Sequence, residues 1–283
     1  TKIRHSGAFD MKNKHLRSLD FSVGRVYGLV LRYWYLLKGS APRLLELAYW
    51  PSIQLILWGF ISQFFLSQSS ALAGAAGALI GAVLLWDILF RGQLGFSISF
   101  LEELWSRNLG HLFVTPLRAH EFIAALMTIS LIRVLIGVGP AILLAIPLYN
   151  FSIFVLGLPL IIFFANLMMF GWVIGLLVTA LLMRVGLGAE SVAWAMIFLI
   201  APVSAIYYPV AILPDWLQVV AWALPPAHIF EGMRAILISG TFEVKFWLNA
   251  FGLNVFYLTL SSFIFLHNFR VARRDGKLLQ MGE

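Results

Sequence analysis

The chain has 283 residues, of which 61% are hydrophobic and 12% are charged. A soluble domain carries about 25% charged residues, so this composition excludes a soluble enzyme and a disordered chain, and the absence of cysteine excludes a disulfide scaffold. What remains is an all-α polytopic membrane protein, in which lipid faces most of the outer surface.

The first 43 residues are predicted to form a basic N-terminal segment in the cytoplasm. Residues Leu19–Lys38 within it have the pattern of an amphipathic helix, with Arg25 and Arg32 seven positions apart on one face and aromatic residues on another. We expect this helix to lie along the inner membrane surface. Basic clusters beside membrane spans are the rule in membrane proteins, so we expect contact with lipid and not with nucleic acid.

Residues 44–268 are predicted to form a six-span transmembrane domain, because a crossing helix needs about 20 apolar residues. Residues 269–283 follow as a cytoplasmic tail. The fourth span is overlong, which indicates tilt or extension beyond the bilayer. The six spans are predicted at Leu44–Leu66, Ala71–Phe90, Phe122–Leu148, Ile153–Met183, Ala189–Tyr208 and Phe246–Phe265.

The loop charges predict the orientation of these spans in a cell (inner) membrane. The connections Ser67–Ser70 and Tyr149–Ser152 carry no charge, whereas the loops on the other side carry Arg91, Arg107, Arg118 and Arg184. Lys and Arg are concentrated in cytoplasmic loops, so both chain ends are expected in the cytoplasm.

Few polar or small residues with a recognisable role lie inside the spans. Asp87 and Arg91 have the i,i+4 spacing of a helical ion pair. Arg133 lies deep in the third span, where it is either a snorkelling or paired structural residue or a functional charge. Two Gly-x-x-x-Gly pairs are suited either to internal helix packing or to a dimer contact: Gly77/Gly81 and Gly171/Gly175.

The stretch between the second and third spans has the pattern of an amphipathic cytoplasmic helix over about residues 98–114. Phe100, Trp105 and Leu112 follow its apolar face, with Phe113 beside them. Glu102, Glu103 and Arg107 fill its polar side. Such a helix either lies on lipid or binds a cytosolic partner.

Four prolines interrupt the apolar segment over about residues 209–238, so a straight span cannot pass through it. Two short helices that enter the membrane and return fit better. The segment carries the external polar and aromatic candidates of the chain, which either satisfy helix ends or stabilise the segment. They are Pro214, Asp215, Trp216, His228, Glu231 and Arg234. His228 and Glu231 share a helix face, but two ligands do not make a metal site.

No nucleotide-binding phosphate loop, zinc-protease motif or dinucleotide motif occurs in the sequence. Three passages instead resemble the permeases of ABC-2 type transporters. One is Glu103 to Arg118, which ends in Val-Thr-Pro-Leu-Arg. The others run from Ala201 to Gln218 and from Leu224 to Leu237, the last with the order Pro, His, Glu, Arg.

The resemblance implies the membrane half of an ATP-driven exporter. It implies a coupling helix that contacts a cytosolic ATPase through Phe100–Phe113, and an external re-entrant cap. It also implies a twelve-span dimer, for which a homodimer is the simpler expectation. ATP and Mg would then bind to the partner ATPase, so no cofactor and no catalytic residue is expected on this chain. The short external connections indicate the branch that moves drug, lipid or polysaccharide cargo.

Two alternatives need no ATPase partner. A secondary carrier or channel would transport by itself under an ion gradient, although no series of buried carboxylates supports ion coupling. An integral-membrane enzyme acting on lipids would need a cluster of His, Asp, Glu and Ser at the membrane interface, and none stands out in the sequence.

Overall fold

The computed structural model describes residues 21–68 and 73–275, and within this part of the chain all regular elements are helices. The first 20 residues of the predicted N-terminal segment, the second half of the Ser67–Ser70 connection and the last eight tail residues lie outside it. The helices are α1 (Val23–Lys38), α2 (Ala41–Gln68), α3 (Ala73–Trp105), α4 (Leu109–Val114), α5 (Ala119–Tyr149), α6 (Leu158–Val185), α7 (Glu190–Ile200), α8 (Asp215–Trp222), α9 (Pro225–Ser239) and α10 (Val244–Arg274).

Five stretches of the described residues are long and apolar enough to cross a membrane. They are Ala41–Ser67, Gly77–Trp105, Ala119–Tyr149, Leu158–Ser204 and Val244–Arg274. These stretches confirm an all-α polytopic membrane protein. The predicted fifth span, Ala189–Tyr208, has a different form: it consists of the short helix α7 and a 3-10 turn, Ala201–Ser204, and is continuous with α6 in one apolar stretch.

Helix α7 nevertheless runs back along α3. The side chain of Gln93 donates to the carbonyl of Ala193 at 2.9 Å, and the ring of Phe90 lies 5.6 Å from that of Phe198. Residue numbers increase along α7 where they decrease along α3, so the two helices are antiparallel. At about 1.5 Å per residue, α7 alone covers only about half of the hydrocarbon core, so the turns after it complete the passage.

Helix α3 is the centre of the bundle. Most of its apolar stretch is buried, whereas only a small part of the stretches in α2 and α10 is buried. It packs on α6 through close backbone contacts: a Cβ placed on Gly171 would lie 3.0 Å from the backbone nitrogen of Gln93. Gly171 and Gly175 thus serve internal packing. Gly81 does the same where it faces Leu237 of α9.

The bundle has two distinct ends. The basal end carries α1, α4 and the last turns of α10, and the distal end carries α8 and α9. Helix α9 begins with Pro225, whose missing N–H is not needed in a first turn. It ends at Gly240 with φ of 66°, a left-handed conformation that glycine adopts without strain. The prolines of this segment therefore delimit two short helices, as the sequence predicts.

Candidate functional site

The basal end holds a group of ion pairs that joins four helices. Glu121, in the first turn of α5, is fully buried and accepts hydrogen bonds from two guanidinium nitrogens of Arg25 at 2.6 and 2.8 Å. The same carboxylate accepts from the backbone N–H groups of Ser22 and Arg118 at 2.8 and 3.1 Å. One side chain therefore caps α5 and holds the start of α1 against it.

A second carboxylate, Glu103 of α3, binds the middle of α1. Glu103 is fully buried and pairs with Arg32 of α1. Its other oxygen accepts from the side chain of Asn108 at 2.7 Å. These bonds link α1 both to the end of α3 and to the turn that leads into α4. Burial and the nearby carboxylate of Glu103 raise the pKa of Tyr33, on the buried face of α1, well above its ordinary value.

The neighbouring Glu102 links α3 to α5 and to α2. It lies 3.0 Å from Arg133 of α5 and 3.2 Å from Arg43 at the start of α2. The Arg133 side chain passes beside Gly95 on its way to Glu102, so its charge is carried toward the basal end. This geometry is the paired arrangement that the sequence left open for Arg133.

The structure corrects the predicted helix over residues 98–114. Helix α3 continues through Phe100 to Trp105, and Arg107 then adopts a left-handed conformation with φ of 53° before α4 begins. Phe100 and Glu103 are buried and present no surface to a partner. The reason is length: α3 extends about 50 Å, well beyond the hydrocarbon core, and its last turns pack under α1 and α5.

The exposed part of this region is the short segment from Trp105 to Pro116. Trp105 is 47% exposed, and its indole N–H donates to Glu190 at 3.1 Å, while Val114 at the end of α4 is 86% exposed. Leu112 is half-buried against the core. Phe113 belongs to α4, but its side chain lies outside the described part of the chain. Val114 was not among the residues predicted to contact a partner, yet it is the most exposed apolar side chain that the structure describes in α4.

The distal segment, which comprises the 206–210 turn, α8 and α9, is stabilised by contacts among its own residues. Glu231 accepts from the backbone N–H of Val210 at 2.6 Å and pairs with Arg234 at 3.1 Å. Arg234 in turn donates to the carbonyl of Ile206 at 3.2 Å. Glu231 and Arg234 therefore hold the 206–210 turn against α9 through hydrogen bonds to its backbone. These contacts satisfy backbone groups that a buried turn would otherwise leave unpaired.

The other distal candidates lie at helix ends and on the surface. Pro214 precedes α8 and its carbonyl accepts from Leu217 at 2.8 Å, while Asp215 lies in the first helical turn, where negative charge is favourable. Trp216 is 70% exposed. The Nε2 atom of His228 lies 2.9 Å from the carbonyl of Trp222, so His228 and Glu231 contact different backbone segments.

Asp87 and Arg91 form a buried pair in the middle of α3, separate from the basal ion pairs. The Arg91 Nε atom lies 4.0 Å from an Asp87 carboxylate oxygen. Helices α2 and α5 cross this point closely, because a Cβ on Gly137 would lie 2.9 Å from the Leu47 carbonyl and 3.1 Å from Arg91. The structure thus places these two charges at the contact of three helices.

Comparison with known protein families identifies the family of the chain. The family model of the ABC-2 type transporter matches residues 41–238, from the start of α2 to the end of α9. A search of curated proteins finds no match. The matched region covers more than half of the chain and includes the long apolar helices α2, α3, α5 and α6, the exposed segment with α4, and the distal pair α8 and α9. The chain therefore belongs to the ABC-2 type transporter family, as a multi-pass permease subunit of an ABC transporter.

Proposed function

We propose that this permease is the membrane half of an ATP-driven exporter and works as a dimer with cytosolic ATPase subunits. Permeases of the family normally pair with a cytosolic ATPase subunit. The observation that supports this function best is the group of ion pairs at the basal end. It connects α1, α2, α3 and α5 directly behind the exposed segment that contains α4.

The ion pairs make the basal end move as one unit. Removing the arginine from one of these pairs leaves a buried carboxylate charge without compensation. Glu103 and Glu121 are fully buried and Glu102 is nearly so, and each binds at least one arginine from another helix. A push on α4 would thus reach α3 through Asn108 and reach α1 and α5 through the carboxylates, instead of being absorbed by a flexible loop.

We assign the ATPase contact to the exposed segment itself. Trp105, His111 and Val114 are exposed there, and the adjacent Arg107 supplies a positive charge. An apolar residue surrounded by polar ones is the usual centre of a protein interface. ATP and Mg would bind to the partner subunit. In this arrangement the basal end faces the cytoplasm of a cell whose inner membrane contains the protein, in agreement with the concentration of basic residues at that end.

The translocation pathway is proposed to form between two copies of the chain, a homodimer in the simplest case. The exposed sides of α2 and α10 are rich in aromatic and aliphatic side chains, among them Trp50, Phe60 and Phe256. Such walls suit an amphipathic cargo of the drug, lipid or glycan type. The distal pair α8 and α9, braced by Glu231 and Arg234, would close the outer mouth.

The test uses the complex of this chain with its ATPase. Val114→Asp places a charge at the proposed contact, and we expect ATPase binding to weaken at least about tenfold, with the melting temperature of the permease unchanged. Val155→Asp is the matched control, because Val155 is 68% exposed at the opposite end. Equal binding by both variants would refute the assignment. Transport by this chain alone under an ion gradient would instead establish a secondary carrier.

A further inference from the structure

An open cleft lies at the distal end between α10 and the junction of α8 and α9. Its volume is about 720 Å³. One wall is a stripe of α10 that includes Lys245, Asn249, Gly252 and Leu253. The spacing of these positions places them on one helix face. Because a helix rises about 1.5 Å per residue, Lys245 and Leu253 are about 12 Å apart along the axis.

The polar side chains of this wall lie toward the membrane surface, with the apolar Leu248 between them, and its deeper part is apolar. Lys245 lies in the first turn of α10, at the edge of a membrane-spanning stretch, and Asn249 follows one turn later. Gly252 and Leu253 come next, inside the span. A ligand that follows the stripe therefore meets a cation at the membrane surface and apolar groups in the hydrocarbon core. That polarity matches a molecule with an anionic head and an acyl chain.

The opposite wall is formed by the rings of Trp222 and His228, whose centroids are 5.0 Å apart. Phe246 of α10 lies nearly parallel to Trp222, at an interplanar angle of 7° and a centroid distance of 6.1 Å. Tryptophan at this position is typical of the boundary between membrane and water. The Nε2 atom of His228 donates to the Trp222 carbonyl, so Nδ1 is an acceptor, and among the described residues it has no partner.

Two observations show that the chain itself leaves the cleft free. A Cβ placed on Gly252 would meet no atom within 4 Å, so the lower part of the cleft is open space. Lys245 pairs with Glu243 at 2.6 Å, but the lysine side chain is 67% exposed, and exposed ion pairs contribute little. The ammonium group can therefore bind another anion.

We propose that this cleft binds one anionic phospholipid, with the phosphate at Lys245 and Asn249 and an acyl chain along Gly252 and Leu253 against Trp222. The site does not depend on the ATPase partner or on the direction of transport. Its occupant contacts both α10 and the α8–α9 junction. Lipid at this site would stabilise the distal segment in one position relative to the last span.

Brominated lipids test the site through the fluorescence of Trp222. The protein is placed in nanodiscs that contain brominated phosphatidylglycerol or brominated phosphatidylcholine at equal fractions, and the Trp222→Phe variant isolates the signal of that residue. We expect stronger quenching by the anionic lipid. Lys245→Gln should reduce the preference about fivefold, the effect of one lysine near an anionic surface. Gly252→Leu should remove the quenching.

The controls separate the proposal from its rivals. Gly139→Leu adds the same side chain at another helical glycine whose Cβ meets no atom within 4 Å, and should leave quenching unchanged. Gly252→Ala keeps the proposal testable should the leucine variant fail to fold. Equal quenching by both lipids would overturn the proposal. If inorganic phosphate removes the preference for the anionic lipid in the native chain, and Gly252→Leu keeps that preference, the site binds free phosphate. Loss of quenching on dimer formation would assign a subunit contact. Either result overturns the proposal.

Discussion

Substitution of Gly171 by alanine tests the contact that joins the two central helices. The added Cβ would lie 3.0 Å from the nitrogen of Gln93, 3.1 Å from the carbonyl oxygen of Leu89 and 3.2 Å from the carbonyl carbon of Gly92. All three are backbone atoms of α3, so no side chain can rotate to make room. Since carbon atoms prefer separations of about 3.5–4.0 Å, α6 must move away from α3 by about half an ångström.

The expected cost follows from two opposing effects. Overpacking in a well-packed region costs about 1–3 kcal/mol. Alanine also favours a helix over glycine by up to about 1 kcal/mol. The same alanine substitution at Gly139 or Gly252 adds a Cβ that meets no atom within 4 Å, so only the second effect operates there. The difference between Gly171→Ala and these controls should therefore equal the overpacking cost alone.

The measurement is reversible unfolding of the purified protein in mixed micelles, followed by tryptophan fluorescence. Gly171→Ala should be less stable than both controls by about 1–3 kcal/mol. Gly175→Ala gives a second test of the same helix contact, because its Cβ would lie 2.8 Å from the ring and 2.9 Å from the Cβ of the buried Phe96. If Gly171→Ala is as stable as the controls, the close approach of α6 to α3 is wrong.

Three further predictions concern the two ends of the molecule. Arg133→Met should lower the free energy of unfolding by about 1–3 kcal/mol. In a double-mutant cycle, Glu102→Gln should cost much less in the Arg133→Met background than in the native chain, and additive costs would contradict the ion pair. Glu121→Ala should speed hydrogen exchange in the first turns of α1 but not in α9. Equal exchange rates in α1 of the variant and the native chain would contradict the role of Glu121 in holding the start of α1. Burial lowers the pKa of His228 below its ordinary value near 6.5, so the folded state favours the neutral ring and stability should fall as pH drops through about 6.5; His228→Phe should show a smaller loss of melting temperature between pH 7 and pH 5.

The sequence by itself determined the class of the protein, because hydropathy is a local property. Runs of apolar residues predicted the membrane helices, and the four prolines of residues 209–238 predicted two short helices in place of a straight span. The order of polar residues in that segment also carried the family resemblance, which the family comparison confirms.

Tertiary structure alone decided the role of the charges. Glu102 and Glu103 follow a helical pattern that also fits a surface helix, and their partners Arg43 and Arg32 are 59 and 71 positions away in the chain. No local rule predicts such a pairing, so the burial of Glu103 and the extension of α3 to Trp105 were not foreseen. The cleft beside Gly252 could not be predicted from the sequence for the same reason. Its walls come from α10 and from the α8–α9 junction, whose relative position depends on packing and not on periodicity.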